Sequence, residues 1–241
     1  DYSNIHKYFR EASWDEALAF ASNGLLKLIN SNGSSGLAGF GSAKCSNEEA
    51  YLFQKLIRTG LKTNNVDHCT RLCHASSVAA LLETIGSGAV TAPFYEVEHS
   101  EVIIVIGANP TENHPVAATF FKNAAKKGSK LIVMDPRGQA LKKYATHMLQ
   151  FKSGTDVALL NSIMHVIIEE NLFDQEYIKH HTLGFEQLRE HLKIFSPDKI
   201  FKTTGIKASE IRKVARLFAN TKKGIIFWGM GIFISISICM M

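Results

Sequence analysis

Four cysteines in 241 residues are too few for a disulfide scaffold, so a reducing compartment is the simpler interpretation. The sequence starts at Asp1 with neither an initiator methionine nor a signal peptide. The excess of positive charge is mild: the net charge is +5, and the lysine pairs are scattered beside predicted helices. We interpret them as solvated faces, and no nucleic-acid partner is expected. The expected location is cytoplasmic, with periplasmic export left open.

Familiar nucleotide and metal motifs are also missing. There is no G-x-G-x-x-G and no Walker lysine loop, which disfavours an ordinary NAD site or a P-loop. The spacing of Cys69, Cys73 and His74 is one residue too long for a c-type haem. A zinc site would need two more ligands at compact spacing, and no second cysteine or histidine pair stands nearby. His180 and His181 are interpreted as surface residues.

Polar residues are scarce at the end of the sequence. The run from Gly224 to Met241 is nearly uncharged and approaches the length of a membrane span. Glycines and serines dilute it, so its first part is interpreted as a buried strand and no membrane span is expected. Both ends of the sequence look cut, which suggests an internal fragment that is inactive alone.

Continuous apolar runs alternate with helical patterns in the second half of the chain. Val102–Ile106, Leu131–Met134 and Gly224–Trp228 are typical of parallel strands that are covered on both faces. The predicted fold class is α/β, with doubly wound, mostly parallel sheets and flanking helices. The helices predicted between and after these strands cover residues 116–127, 156–171, 185–195 and 208–220.

The first part of the chain predicts a smaller α/β region. Ser13–Glu16 is a capping box, followed by a helix with an apolar stripe that includes Leu18, Phe20 and Leu25. A short strand is predicted at Leu37–Phe40. We expect residues 1–72 to form a partial α/β domain whose N-terminal cluster domain is missing. Residues 73–241 are expected to form a truncated dinucleotide-binding-like domain.

Cys73 and His74 lie where a loop is predicted to enter a helix, with Ser76 or Ser77 as its N-cap. A thiol ahead of a helix N-terminus has its thiolate favoured, and the thiolate is the form that binds metal or attacks. An adjacent imidazole can move a proton near neutral pH. From these residues alone, Cys73 could equally be a small buried hydrophobe.

Polar residues and glycines follow three predicted strands, in Gly107–Asn109, Asp135–Arg137 and Gly229–Gly231. Ligands of such sheets bind at the carboxyl ends of strands. An aspartate can bond a ribose or a base, an arginine can bind phosphate, and glycines let the backbone approach a ligand. Gly154–Asp156 adds a turn and a helix cap. Together they favour a nucleotide-like ligand, although Asp135–Arg137 could equally be a turn with a surface salt bridge.

A set of segments resembles the molybdopterin oxidoreductase family in sequence and in order. Within that family the chain is most similar to the formate dehydrogenase catalytic (alpha) subunits. Lys62 and Ala92 depart from the pattern, where glycine and asparagine are expected. The matching segments are Gly39–Glu49, Thr63–His74, Gly107–Pro110, His114–Pro115, Asp135–Arg137 and Gly229–Gly231.

The resemblance implies oxidation of formate to carbon dioxide at a molybdenum or tungsten centre. It implies that Cys73 is the metal ligand and that His74 orients formate or takes up a proton. A histidine after the cysteine favours formate dehydrogenase over nitrate reductase. The implied cofactor is bis(molybdopterin guanine dinucleotide), with cofactor-binding residues Asn109, Glu112, Asn113, Asp135, Arg137, Gly154, Asp156, Gly229 and Met230.

The resemblance also implies partners. Electrons would pass to a 4Fe-4S cluster in an N-terminal region missing from this sequence, and then to iron–sulfur or flavin/NAD-linked electron-transfer subunits. Two alternatives stay open. One is another molybdopterin oxidoreductase, such as an assimilatory nitrate reductase. The other is a non-catalytic dinucleotide-binding module in which Cys73 is buried and inert.

Overall fold

The computed structural model describes residues 7–232 of the chain. The start at Asp1, Cys239 and the part of the uncharged run after Ile232 lie outside the described residues. The chain divides into two compact units, Asp1–Ala75 and Ser76–Met241. Within residues 7–232, no helix is long and apolar enough to cross a membrane.

The first unit holds three helices and a small parallel sheet. In α1, the Ser13 hydroxyl accepts a hydrogen bond from the Glu16 amide, which caps the helix as predicted. At the start of α2, Ser46 and Glu49 form a capping box with both hydrogen bonds, whereas for α1 the structure describes only the one from the Glu16 amide; the last turn of α2 continues as a π-helical segment. The elements are α1 (Trp14–Asn32), β1 (Gly39–Gly41), α2 (Asn47–Lys55), β2 (Val66–His68) and α3 (Thr70–Cys73).

The apolar stripe predicted for α1 is present in sequence but is not buried within the first unit. No residue of α1 is buried, and the Phe20 side chain is 84% exposed. The reason is that the two-stranded sheet β1–β2 is too small to provide a layer that covers the helix. The core of this unit is instead local: Ile57 packs where a side chain at Gly39 would stand.

From Ala75 onward the chain alternates helices and strands. Short 3₁₀ segments precede β3 and β5. The elements are α4 (Ala75–Ile85), β3 (Val102–Ile106), α5 (Pro110–Asn113), α6 (Pro115–Lys126), β4 (Lys130–Met134), β5 (His147–Leu149), α7 (Asp156–Glu169), α8 (Gln175–His181), α9 (Phe185–Leu192), α10 (Pro197–Thr204), α11 (Ala208–Ala219) and β6 (Gly224–Trp228).

The four strands of the second unit form one parallel sheet in the order β5-β4-β3-β6. Every residue of β3 is buried, and its side chains alternate between the two faces. Ile104 packs with residues of α7 and α11, whereas Ile103 packs with residues of α6. Helices therefore cover both faces, and the predicted doubly wound α/β fold class is confirmed.

The topology places a switch point between β3 and β6. From β3 the chain moves to β4 and then β5 on one side, and it returns to place β6 on the other side of β3. Ligands of open α/β sheets bind outside the carboxyl ends of strands at such a point. The three predicted strands are confirmed within one residue. β5, α8 and α10 were not predicted, because each is short and has little apolar periodicity.

Candidate functional site

Three of the predicted loops meet at the carboxyl edge of the large sheet. They follow β3, β4 and β6, which are neighbours in the sheet. The Gly229 amide donates to the carbonyl of Ile106 over 3.0 Å, and the Gly231 amide donates to that of Gly107 over 3.0 Å. The loops after β3 and β6 are thus joined by backbone hydrogen bonds across the switch point.

The glycines of these two loops are explained by the contact between the loops. A Cβ at Gly229 would lie 2.6 Å from the carbonyl oxygen of Gly107, and one at Gly231 would lie 2.8 Å from the same atom. Gly107 itself has a φ of +59°, which suits glycine. The prediction assigned these glycines to close approach of a ligand. The structure gives them a packing role that needs no ligand.

Asp135 is buried at the end of β4 and holds its own loop. Its Oδ1 accepts from the Arg137 amide over 2.8 Å, and its Oδ2 accepts from Gln139 Nε2 over 3.3 Å. Gln139 also donates to the carbonyl of Ala108 over 2.7 Å, which ties this loop to the one after β3. The Arg137 guanidinium is exposed and forms no ion pair among residues 7–232, so the surface salt bridge considered above is absent there.

The loop after β3 carries the next group of predicted residues. Asn109 is buried, and its Oδ1 accepts from Thr111 Oγ1 over 2.5 Å. Its carbonyl accepts from the amides of Glu112 and Asn113, each over 3.1 Å. The side chains of Glu112 and Asn113 are exposed on α5. Asn109 therefore shapes the loop, whereas the other two present polar groups to solvent. Met230, in the loop after β6, is 47% exposed.

Asp156 is the most unusual polar residue of the second unit. It is the first residue of α7, it is 1% exposed, and neither of its carboxylate oxygens has a hydrogen-bond partner in the described structure. A buried carboxylate without partners is costly, although the positive end of the helix partly offsets this. Such an acceptor pair fits a ligand with two N–H donors. Gly154, at φ +77°, makes the turn that leads to it.

β5, the strand that the sequence did not predict, explains where Gly154 and Asp156 lie. β5 lies beside β4, and Gly154 and Asp156 follow it just as the other loops follow their strands. Four loops therefore occupy one edge of the sheet. Gln139 also belongs to this edge and was missed. Its Oε1 is buried without a hydrogen-bond partner among the described residues, a feature that the sequence pattern does not reveal.

Cys73 and His74 lie in the first unit, and the predicted local structure around them needs correction. Cys73 ends the single helical turn of α3, and α4 begins at Ala75. Ser76 and Ser77 lie inside the first turn of α4, so neither is its N-cap. Ser77 Oγ instead accepts a hydrogen bond from the indole Nε1 of Trp228 over 2.7 Å. Cys73 and His74 are both partly buried.

The side chains that the structure describes around Cys73 do not form a metal-binding group of their own. Among residues 7–232, no group of three or more His, Cys, Asp or Glu side chains could hold a metal ion. Cys45 and Cys69 are exposed, and the Cys45 thiol donates to the carbonyl of Ser42 over 2.8 Å.

Two cavities lie away from the predicted residues. One, of about 580 Å³, is in the first unit at the carboxyl ends of β1 and β2, where Gly41, Cys45 and His68 line it. The other, of about 700 Å³, is at the amino ends of β3 and β4, on the edge of the sheet opposite the loops. Within the described structure, neither is lined by a predicted site residue.

Comparison with known proteins gives a consistent family. The sequence model of the molybdopterin oxidoreductase family matches residues 6–235. The F420-dependent formate dehydrogenase 1 subunit alpha of Methanococcus maripaludis is 43% identical over 222 residues, covering 92% of this chain and 32% of that protein. Formate dehydrogenase H of Escherichia coli is 39% identical, covering 91% of this chain and 31% of its own length.

Two other similar proteins are named for reactions that do not involve formate. The assimilatory nitrate reductase catalytic subunit of Bacillus subtilis is 36% identical, covering 93% of this chain and 32% of that protein. Acetylene hydratase from Pelobacter acetylenicus superposes with a TM-score of 0.78 at 30% identity, covering 92% of this chain and 30% of that one. The chain spans about a third of the length of these relatives. The family resemblance is confirmed: the chain belongs to the molybdopterin oxidoreductase family.

Proposed function

We propose that the chain is part of a formate dehydrogenase catalytic subunit that oxidises formate to carbon dioxide. The observation that carries this is the adjacent pair Cys73 and His74 at the end of α3, in a chain 43% and 39% identical to two proteins named as formate dehydrogenases. Membership of the family implies a molybdopterin cofactor. Its form is proposed to be bis(molybdopterin guanine dinucleotide) with molybdenum or tungsten.

The metal end of the cofactor is assigned to Cys73. The thiolate is the form of cysteine that binds metals. When bound, the metal–pterin centre would supply the two-electron redox chemistry. His74 orients formate or holds the proton on its imidazole, because histidine exchanges protons near neutral pH.

The nucleotide end of the cofactor is assigned to the carboxyl edge of the large sheet. Guanine presents N–H donors on one edge. These match the two carboxylate oxygens of Asp156, which are buried without a hydrogen-bond partner among the described residues. The exposed guanidinium of Arg137 suits a phosphate group. Asn109, Glu112, Asn113, Asp135, Gly154, Gly229 and Met230 complete the proposed set, with Asp135, Gly229 and Gly231 shaping the loops.

The nitrate reductase relative supports a second candidate, reduction of nitrate by the same type of centre. Turnover of formate, nitrate and acetylene, measured separately with the cofactor-loaded enzyme, discriminates among the reactions that the relatives' names suggest. Formate oxidation alone supports the proposal, and nitrate reduction without formate oxidation contradicts it. A non-catalytic dinucleotide-binding module would carry no molybdenum, which metal analysis detects.

The electron acceptor, the partner subunits and the compartment are proposed from the family resemblance. The electron acceptor is a 4Fe-4S cluster carried by another part of the enzyme, followed by iron–sulfur or flavin/NAD-linked subunits. The roles given to residues 1–72 and 73–241 remain predictions. The proposed compartment is the cytoplasm.

A further inference from the structure

The turn that carries Cys73 has little apolar burial to hold it. No residue of α3 is buried, and the Leu72 side chain is 92% exposed. Local backbone hydrogen bonds close it: the Leu72 and Cys73 amides donate to the carbonyl of Cys69 over 3.1 and 2.9 Å, and the His74 amide donates to that of Thr70 over 3.0 Å. A single helical turn is unstable by itself, because fixing its residues costs more than one or two hydrogen bonds return.

The Asp67 carboxylate connects the end of β2 to this turn. Its Oδ1 accepts from the His68 amide over 2.8 Å, and its Oδ2 accepts from Arg71 Nε over 2.9 Å. The hydrogen bond from the His68 amide, followed by that from Arg71, holds the pKa of Asp67 below its usual value. Asp67 therefore stays ionised at neutral pH, and Arg71 is fixed one turn away from it.

His68 supports the start of the same turn. The Thr70 amide donates to His68 Nδ1 over 3.2 Å, and Thr70 Oγ1 lies 2.8 Å from the same nitrogen. A backbone amide can only donate, so Nδ1 accepts, and it satisfies one of the amides that the first turn of a helix leaves unpaired. β2 holds the backbone of His68 in turn, because His68 pairs with Gly41 of β1.

We propose that Asp67, His68 and Arg71 are positioning residues for Cys73, holding α3 in the one conformation that presents the thiol. The role proposed for them is to act through the backbone of the turn, not to bind substrate or metal. The inference rests on the proposed function only where it predicts an effect on metal retention. The conformational effect itself is independent of any cofactor.

The test is backbone hydrogen exchange by NMR on the full chain without cofactor, in Asp67→Ala, Asp67→Asn and Arg71→Ala variants. In Asp67→Ala and Arg71→Ala, opening of the turn no longer has to break the charged contact between these two residues. We therefore expect the Cys73 and His74 amides to exchange about two- to tenfold faster than in wild type. Asp67→Asn keeps an acceptor for the His68 amide and should fall between. Glu186→Ala, which breaks the exposed Glu186–Arg189 pair on α9, is the matched control and should leave both amides unchanged.

Unchanged exchange at Cys73 and His74 would overturn the inference, and so would acceleration that extends equally to amides of β3. Arg71 is 72% exposed, so Arg71→Ala tests the idea even where Asp67→Ala folds poorly. A second readout is molybdenum content after cofactor loading, which should fall in Asp67→Ala and recover in Asp67→Glu. If Cys73→Ala keeps its molybdenum, the proposed function fails, while the exchange data still decide the role of Asp67.

Discussion

The indole Nε1 of Trp228 donates a hydrogen bond to Ser77 Oγ over 2.7 Å, joining α4 to the last residue of β6 across 151 positions of sequence. Ser77 is in the first turn of α4, and Trp228 directly precedes the loop with Gly229 and Met230. Both residues are partly buried. This contact anchors the start of α4 to the carboxyl edge of the sheet.

We expect Trp228→Phe to lower the free energy of unfolding by about 1 kcal/mol, since it removes the donor and keeps most of the ring. Ser77→Ala should cost a similar amount, and the double variant should cost clearly less than the sum, because both changes remove one bond. Urea unfolding followed by circular dichroism measures this. Trp14→Phe, at an 82% exposed position, is the control. Additive effects would show that the bond contributes nothing.

Lys62 adopts a left-handed backbone conformation, with φ +54°. This position is one where the family resemblance led us to expect glycine, and the dihedral angle gives the physical reason. We expect Lys62→Gly to stabilise the chain by about 0.5–1 kcal/mol, the relief of strain exceeding the entropy that glycine adds to the unfolded state.

The control for Lys62→Gly is Asn171→Gly, at a residue that also has φ +54°. Asparagine tolerates this conformation, so the gain there should be smaller. Thermal unfolding of both variants provides the comparison. A loss of stability in Lys62→Gly would mean that contacts of the lysine side chain outweigh the strain.

Asp135 and Asp156 should respond differently to loss of charge in the protein without cofactor. Asp135 accepts two hydrogen bonds within its loop, so Asp135→Ala should cost about 1–3 kcal/mol of stability. Asp156 has no hydrogen-bond partner among the described residues, so Asp156→Asn should leave the stability equal or higher. Both should lower cofactor retention. Thermal unfolding and guanine nucleotide content after acid extraction measure the two effects, and a strong loss of stability in Asp156→Asn would contradict this account.

Acid should weaken the contact between α7 and α11. The carboxylate of Glu170 accepts two hydrogen bonds from Arg216, over 2.7 and 2.8 Å, and these hold the pKa of Glu170 below its usual value. A lowered pKa means that the stabilisation is complete above the unfolded pKa, about 4.3, and is lost as the pH falls through the folded pKa. Glu170→Gln should therefore be less stable than wild type at pH 7, and the difference should shrink below about pH 4. A constant difference in urea midpoint would contradict this.

The sequence predicted the parts of the fold that have strong apolar patterns. β3 and β4 were predicted because every central residue is apolar, and α7 and α11 because their apolar residues recur at helical spacing. β5 has three residues and includes His147, so its pattern is too short to recognise. The polar strand ends were predicted because parallel strands share a carboxyl edge. The burial of the orphaned oxygens of Asp156 depends on the folded chain around them, and the role of Gln139 depends on the carbonyl of Ala108, which is distant in sequence; pattern alone supplies neither.

The central claim is that Cys73 is the protein ligand of the molybdenum or tungsten centre. The most direct measurement is metal content per polypeptide, by inductively coupled plasma mass spectrometry, in Cys73→Ala, Cys45→Ser and Cys69→Ser variants of the cofactor-loaded full-length catalytic subunit, with circular dichroism as the check on folding. We expect Cys73→Ala to be folded, to lose most of its metal and to have no formate oxidation, whereas the other two variants, at exposed cysteines, keep both. A folded Cys73→Ala protein that retains metal and near wild-type turnover would contradict the account.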